Sequence, residues 1–272
     1  MDHFNYQQDF LFAEEVPLSK IAEQYGTPSY VYSRATLERH AKAYTESFKS
    51  MNGLVCFSVK ALSNISILKV LKQCGCGFDI VSGGELHRAL LAGADPQKII
   101  FSGVGKSKAE MAAGIKSNIL SFNVESESEL MALEEVAKEL NTIAPVAIRF
   151  NPGVDAGGHE FTKTGRKSDK FGVSINETMR LTDKCIKSNN LNIVGLTCHI
   201  GSQISELEKF KEAADQSLKL LVDVEKLGAE LNFIDMGGGL GVTYVDEKTV
   251  QPRELIKCYE EIFQGRPERL IV

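Results

Sequence analysis

The sequence predicts a (β/α)8 barrel, and three observations carry that expectation. Short β-rich runs alternate with longer helical patterns along nearly the whole chain. The runs are almost continuous in apolar residues, as parallel strands covered on both faces must be. The glycine-rich turn follows the seventh run, whereas a doubly wound open sheet would carry it after the first, where this chain has Lys60-Ala61-Leu62.

In chain order the runs are Leu54 to Ala61, Gly77 to Ser82, Ile99 to Val104, Ile119 to Ser126, Pro145 to Pro152, Ile193 to Gly201, Phe233 to Gly239 and Arg269 to Val272. Between them lie amphipathic stretches. Glu127 to Leu140 sets Leu130, Leu133, Val136, Ala137 and Leu140 at helical spacing, and Leu207 to Leu231 is a longer helix of the same kind. Residues 1 to about 35 precede the first barrel strand, and Thr27 to Ser33 (TPSYVYS) reads as an additional strand. The chain stops at Val272 inside an apolar strand pattern. The expectation is therefore a barrel over residues 36–272, incomplete at its C-terminal end, with the eighth strand cut and an open edge there.

Composition narrows the function. Hydrophobic residues at 43% and charged residues at 25% place the chain among soluble globular proteins. A net charge of -5 without any basic block argues against a nucleic-acid partner. No apolar stretch approaches the roughly 20 residues of a membrane span. The N-terminus lacks the basic start and apolar run of a signal peptide, so a cytoplasmic location is expected. Six cysteines are too sparse for a disulfide framework. Cys74-Gly75-Cys76 is spaced more tightly than a structural zinc pair and has no second pair, so no metal is expected.

The C-terminal ends of barrel strands form the active face. Taken in order they hold Lys60, Asp79 with Ser82, Ser102, Asn123, Arg149 with Asn151, His199 with Ser202, and the glycines after Asp235. A packed core would not supply such a polar ring. Lys60 at a strand end would be partly desolvated, which favours the neutral amine and nucleophilic attack on an aldehyde; taken alone, a surface lysine is the commoner reading. Gly237, Gly238 and Gly239 let backbone N–H groups approach a phosphate, unless they only form a tight turn. His199 could stack on a cofactor ring or be a hydrogen-bonded structural residue. The basic stretch Lys163 to Lys170 reads as a solvated loop. The residues by themselves reach a barrel enzyme that binds a phosphorylated cofactor or substrate beside a lysine.

Six motifs in register go further. FSVKA, GFDIVSGGEL, FNVESESEL, HIGSQI and IDMGGGLG, with the loop Asn151 to Val173, resemble the fold-type III pyridoxal-phosphate enzymes, whose barrel is of the alanine racemase type. The resemblance lies in the decarboxylase branch. His159-x-aromatic-x-x-Thr164-Gly165 followed by Lys170-Phe171-Gly172 is similar to the diaminopimelate decarboxylases in particular. That family usually carries Asn after Lys-Ala, where this chain has Leu62.

The resemblance implies roles. Lys60 would bond to pyridoxal 5'-phosphate and, with His199, be catalytic. Ser202, Gly237, Gly238 and Gly239 would hold the phosphate, His199 would stack on the ring, and Asp79, Glu85 and Arg149 would line the site. The reaction would be loss of carbon dioxide from meso-2,6-diaminopimelate to give L-lysine, in a homodimer. Family members continue beyond the eighth strand with a glutamate for the pyridine nitrogen and a C-terminal β-domain. Residues 1 to about 35 would pack with that domain, and the 272-residue chain alone would be inactive. Ornithine and arginine decarboxylases, a non-catalytic pyridoxal-phosphate carrier and alanine racemase are the alternatives. The GGGLG turn and the HIGSQ motif argue against the carrier, and the long loop from Asn151 to Val173 fits alanine racemase poorly.

Overall fold

The computed structural model describes residues 3–48, 51–155, 171–244 and 246–272. Ahead of the barrel stands a three-stranded antiparallel sheet of β1 (Phe4–Gln7), β2 (Phe10–Ala13) and β3 (Val16–Pro17). It is followed by α1 (Leu18–Tyr25) and α2 (Arg34–Thr45). The additional strand expected at Thr27 to Ser33 does not form. No ladder among the described residues includes it, and Tyr30 is 92% exposed. Neither sheet takes it up: β1 to β3 and the barrel strands pair only with one another.

The first barrel strand is β4 (Gly53–Leu54) and β5 (Cys56–Ser58), two pieces of one stretch interrupted at Val55. Then follow α3 (Ile65–Gln73), β6 (Gly77–Ile80), α4 (Gly83–Leu91), β7 (Ile99–Phe101), α5 (Lys108–Lys116), β8 (Ser121–Val124), α6 (Glu127–Glu139) and β9 (Ala144–Arg149). The remainder is α7 (Ile175–Lys187), β10 (Leu191–Thr197), α8 (Leu207–Lys226), β11 (Phe233–Asp235), α9 (Pro252–Ile262) and β12 (Arg269–Ile271).

The parallel strands pair in the order β4-β12-β11-β10-β9-β8-β7-β6-β5. Because β4 and β5 belong to one stretch, the ladder runs round to its own start. Val272 N–H donates to Leu54 O at 3.1 Å, and Cys56 N–H donates to Val272 O at 2.8 Å. Both sides of β12 are therefore paired, and the open edge expected at the eighth strand is absent.

Serine starts four of the helices that follow barrel strands. Ser82, Ser107, Ser126 and Ser174 each accept a hydrogen bond from the backbone N–H of a glutamate three residues on, namely Glu85, Glu110, Glu129 and Glu177. Such caps stabilise a helix by about 1 kcal/mol each. They turn the chain sharply from strand end to helix and hold the loops around the mouth.

Two cores result. The larger lies between strands and helices and contains Phe78, Phe101, Phe122, Leu133, Leu181, Leu221 and Tyr259. The smaller fills the barrel interior with Leu54, Ile100, Ala147, Val194, Phe233 and Ile271, one from each of six strands. Gly195 makes room for the Phe233 ring, which passes 2.5 Å from where a Cβ would stand. No helix among the described residues is long and apolar enough to cross a membrane.

Candidate active site

A cavity of about 470 Å³ opens at the C-terminal ends of the strands. Lys60, Asp79, Arg149, His199, Ser202, Gly237, Gly238 and Gly239 all line it, and so does Ser102. Local rules place each of them. Lys60 lies in the 3-10 turn Val59–Ala61 that ends the first barrel strand. Asp79 and Arg149 are at the ends of β6 and β9, and His199 follows β10.

Lys60 is exposed, not desolvated as the sequence suggests, because the short turn carries it past the strand end to the open mouth. Its charge still acts on Asp79 and His199. Asp79 is held below it. Ser58 Oγ donates to its Oδ2 at 3.2 Å, while Oδ1 is buried without a partner. Burial raises the Asp79 pKa, against the pull of the neighbouring Ser102, Lys60, Ser58 and Arg149. Burial, with the positive charges of Arg149 and Lys60, lowers His199 to about 4. The imidazole is therefore neutral at neutral pH, a flat surface able to lie against an aromatic ring.

Arg149 is fixed on two sides. It donates to Glu125 Oε1 at 2.9 Å, and its guanidinium lies 5.2 Å from the centre of the Phe171 ring. Glu125 is buried and also accepts Gly172 N–H at 3.2 Å. The arginine thus brings a fixed positive charge to the wall.

The glycine turn divides into parts. A Cβ on Gly237 would stand 2.7 Å from Cys198 O, and one on Gly239 would stand 2.1 Å from Gly201 O. Both residues have positive φ, 65° and 112°. These two glycines are needed by the backbone itself. Gly238 is not: a Cβ there would meet nothing within 4 Å. No described residue accepts from the N–H of Gly238 or Gly239. The neighbouring loop is tied to the turn by Ile204 N–H donating to Gly239 O and Gly241 N–H donating to Ile204 O, both 2.9 Å, which sets Ser202 beside it.

Beneath the mouth is a buried polar floor. Asp235 Oδ1 accepts Gly237 N–H at 2.9 Å, and its Oδ2 accepts from Thr197 Oγ1 at 2.9 Å and Asn123 Nδ2 at 3.4 Å. Asn123 also donates to Ser102 Oγ at 3.1 Å. Burial pushes Asp235 up to about 6.

Other residues of the expected ring go elsewhere. Ser82 caps α4, and Glu85 accepts Val81 N–H at 2.8 Å, so their S-x-x-E spacing serves the helix start. Asn151 accepts Gly153 N–H in its own loop and lines a different pocket. His159, Thr164, Gly165 and the stretch Lys163 to Lys170 lie outside the described residues. Ser58, Thr197, Glu125 and the role of Asp235 were not found from sequence. Alternation along the strands would have found three of them, since Ser58, Thr197 and Asp235 each close a strand. Among the described residues no group of three or more histidine, cysteine or acidic side chains could hold a metal.

The family described as pyridoxal-dependent decarboxylase, pyridoxal binding domain, matches residues 34–271. The chain belongs to that family. It is 45% identical over 272 residues to diaminopimelate decarboxylase of Haemophilus influenzae, covering 100% of this chain and 66% of that protein. It is 48% identical over 259 residues to the Vibrio cholerae protein of the same name, covering 95% and 62%. Among solved structures, diaminopimelate decarboxylase from Helicobacter pylori complexed with L-lysine superposes with a TM-score of 0.90 at 38% identity, covering 93% of this chain and 64% of that one. The chain thus spans somewhat under two thirds of the length of these relatives.

The residues fit the cofactor that the family name implies. Lys60 brings an amine to the cavity, the glycine turn on the next strand but one brings two N–H groups that no described residue accepts, and the space over Gly238 is what a side chain would fill. A neutral imidazole lies between the loops.

Proposed function

We propose that this chain holds pyridoxal 5'-phosphate at the barrel mouth and serves the decarboxylation of meso-2,6-diaminopimelate to L-lysine. The observation that carries the reading is the one cavity shared by Lys60 and the open glycine turn. Lys60 holds the aldehyde end, Ser202 with the turn of Gly237, Gly238 and Gly239 the phosphate end, the N–H groups of Gly238 and Gly239 being the ones open to it, and neutral His199 the ring face. When bound, the cofactor supplies an electron sink for the pair left behind as carbon dioxide departs. Asp79 takes its place beside Lys60, and Arg149, fixed by Glu125, keeps a positive charge on the opposite wall. The choice of substrate follows the names of the relatives and the L-lysine bound in the Helicobacter pylori structure.

The same reading makes the protein a cytoplasmic homodimer. The sheet of β1 to β3, with Tyr6 73% and Phe10 58% exposed, is then the surface that packs on a further β-domain. The test uses the protein as its gene encodes it, loaded with cofactor. It should release carbon dioxide and lysine from meso-diaminopimelate, far less from ornithine, lysine or arginine, and none in the Lys60→Ala variant. A preference for ornithine would move it to another substrate, and turnover without Lys60 would end the assignment.

A further inference from the structure

We infer that Asp235 is a positioning residue: its carboxylate clamps the glycine turn in the shape that receives the phosphate. The inference rests on the reading of that turn as the cofactor's phosphate site. Phe233, two residues before Asp235 on the same strand, is apolar and fully packed. A residue needed only for packing at 235 would be apolar too, because a buried carboxylate is costly unless its oxygens are satisfied. Here they are satisfied in a specific way. Oδ2 is braced by Thr197 at 2.9 Å and Asn123 at 3.4 Å, side chains from two other strands. Oδ1 is thereby aimed at a single donor, Gly237 N–H, at 2.9 Å.

That contact decides the shape of the turn. Gly237 takes φ of 65°, and its N–H is the one donor of the three glycines that a described residue accepts. With it pinned downward to the floor, the N–H groups of Gly238 and Gly239 are left for an anion above. Both carboxylate oxygens are engaged, so Asp235 has no direct part in proton transfer. It acts through the turn.

Asparagine at 235 keeps an oxygen for Gly237 N–H, and alanine does not. Two measurements separate a clamp from a general packing role. One is hydrogen exchange of the turn amides in the cofactor-free protein. The other is the dissociation constant of pyridoxal phosphate. Asp235→Ala should speed exchange of the Gly237 segment and weaken the cofactor by about tenfold or more. Asp235→Asn should stay within about threefold of wild type on both. Equal behaviour of Ala and wild type, or equal damage in Asn and Ala, overturns the clamp. Should Asp235→Ala fail to fold, Thr197→Val removes one brace alone. Faster exchange at the turn supports the clamp, and wild-type exchange overturns it. A wild type that exchanges as expected but takes up no pyridoxal phosphate would instead overturn the functional reading, leaving the clamp standing.

Discussion

Two layers of the barrel interior, one step apart on the same strands, have opposite chemistry. The lower is apolar: Leu54, Ile100, Ala147, Phe233 and Ile271 pack on one another. The upper, one or two alternations on, is polar: Ser58, Ser102, Arg149 and Asp235 border the cavity. Ile100 leads to Ser102, Ala147 to Arg149 and Phe233 to Asp235 by the period-two rule of a strand. The backbone geometry is common to both layers, so the difference lies wholly in side chains. The lower layer locks the strands together, and only on such a base can a carboxylate and an arginine be held in place above it.

The largest effect should come from breaking the lower layer. Phe233 is 1% exposed and fills the space that Gly195 leaves. Phe233→Ala should lower stability by about 3–5 kcal/mol through lost burial and a cavity, measured by denaturant unfolding of the cofactor-free protein. A loss under about 1 kcal/mol would show that the layer collapses to refill the space.

How far this contrast could be read in the sequence follows from the same geometry. All eight barrel strands were legible as short apolar runs set between helical patterns. The ring of residues that line the cavity was legible where a charge or glycine interrupts such a run, as at Lys60, Asp79, Arg149 and Gly237. What failed was local hydrogen bonding. Ser82 and Glu85 read as mouth residues, yet their spacing caps a helix. The exposure of Lys60 depends on the turn after the strand, and closure at β12 depends on ladders between residues more than 200 apart in sequence. Pairings of that kind leave no mark on either segment alone.

The second effect is electrostatic and sharpens the contrast by pH. Burial raises Asp235 from 3.8 to about 6, so the folded chain holds that proton more tightly than the unfolded one. Its stabilising contribution is complete below the unfolded value and is lost as pH rises through about 6. His199, lowered from 6.5 to about 4, has the opposite sense: its contribution is complete above 6.5 and is lost as pH falls through about 4. Between those values the two slopes oppose each other in the cofactor-free protein. Asp235→Asn removes one of them. Its stability should then climb with pH across the histidine's window by about 2–3 kcal/mol relative to the flatter wild type. Parallel pH curves for the two proteins would mean that the aspartate does not take up its proton in the folded state.

The smallest effect separates the glycines of the turn. Gly237 and Gly239 have backbone oxygens 2.7 and 2.1 Å from where their Cβ atoms would stand, so substitution there disturbs the fold itself. Gly238 has open space within 4 Å and does not share their positive φ. A valine at 238 therefore costs the protein little on its own account, and any penalty must come from what occupies the space above it. Gly238→Val should leave the melting temperature of the cofactor-free protein within about 2 °C of wild type. It should weaken pyridoxal phosphate about tenfold, or roughly 1.4 kcal/mol, because on the proposed reading the branched side chain would stand where the phosphate approaches the amides of residues 238 and 239. Gly239→Val should do the reverse, lowering the melting temperature before any cofactor is added. If Gly238→Val binds as the wild type does, the phosphate lies elsewhere and the open space over the turn has another use. If it unfolds as Gly239→Val does, the turn is built more tightly than the open space around Gly238 implies.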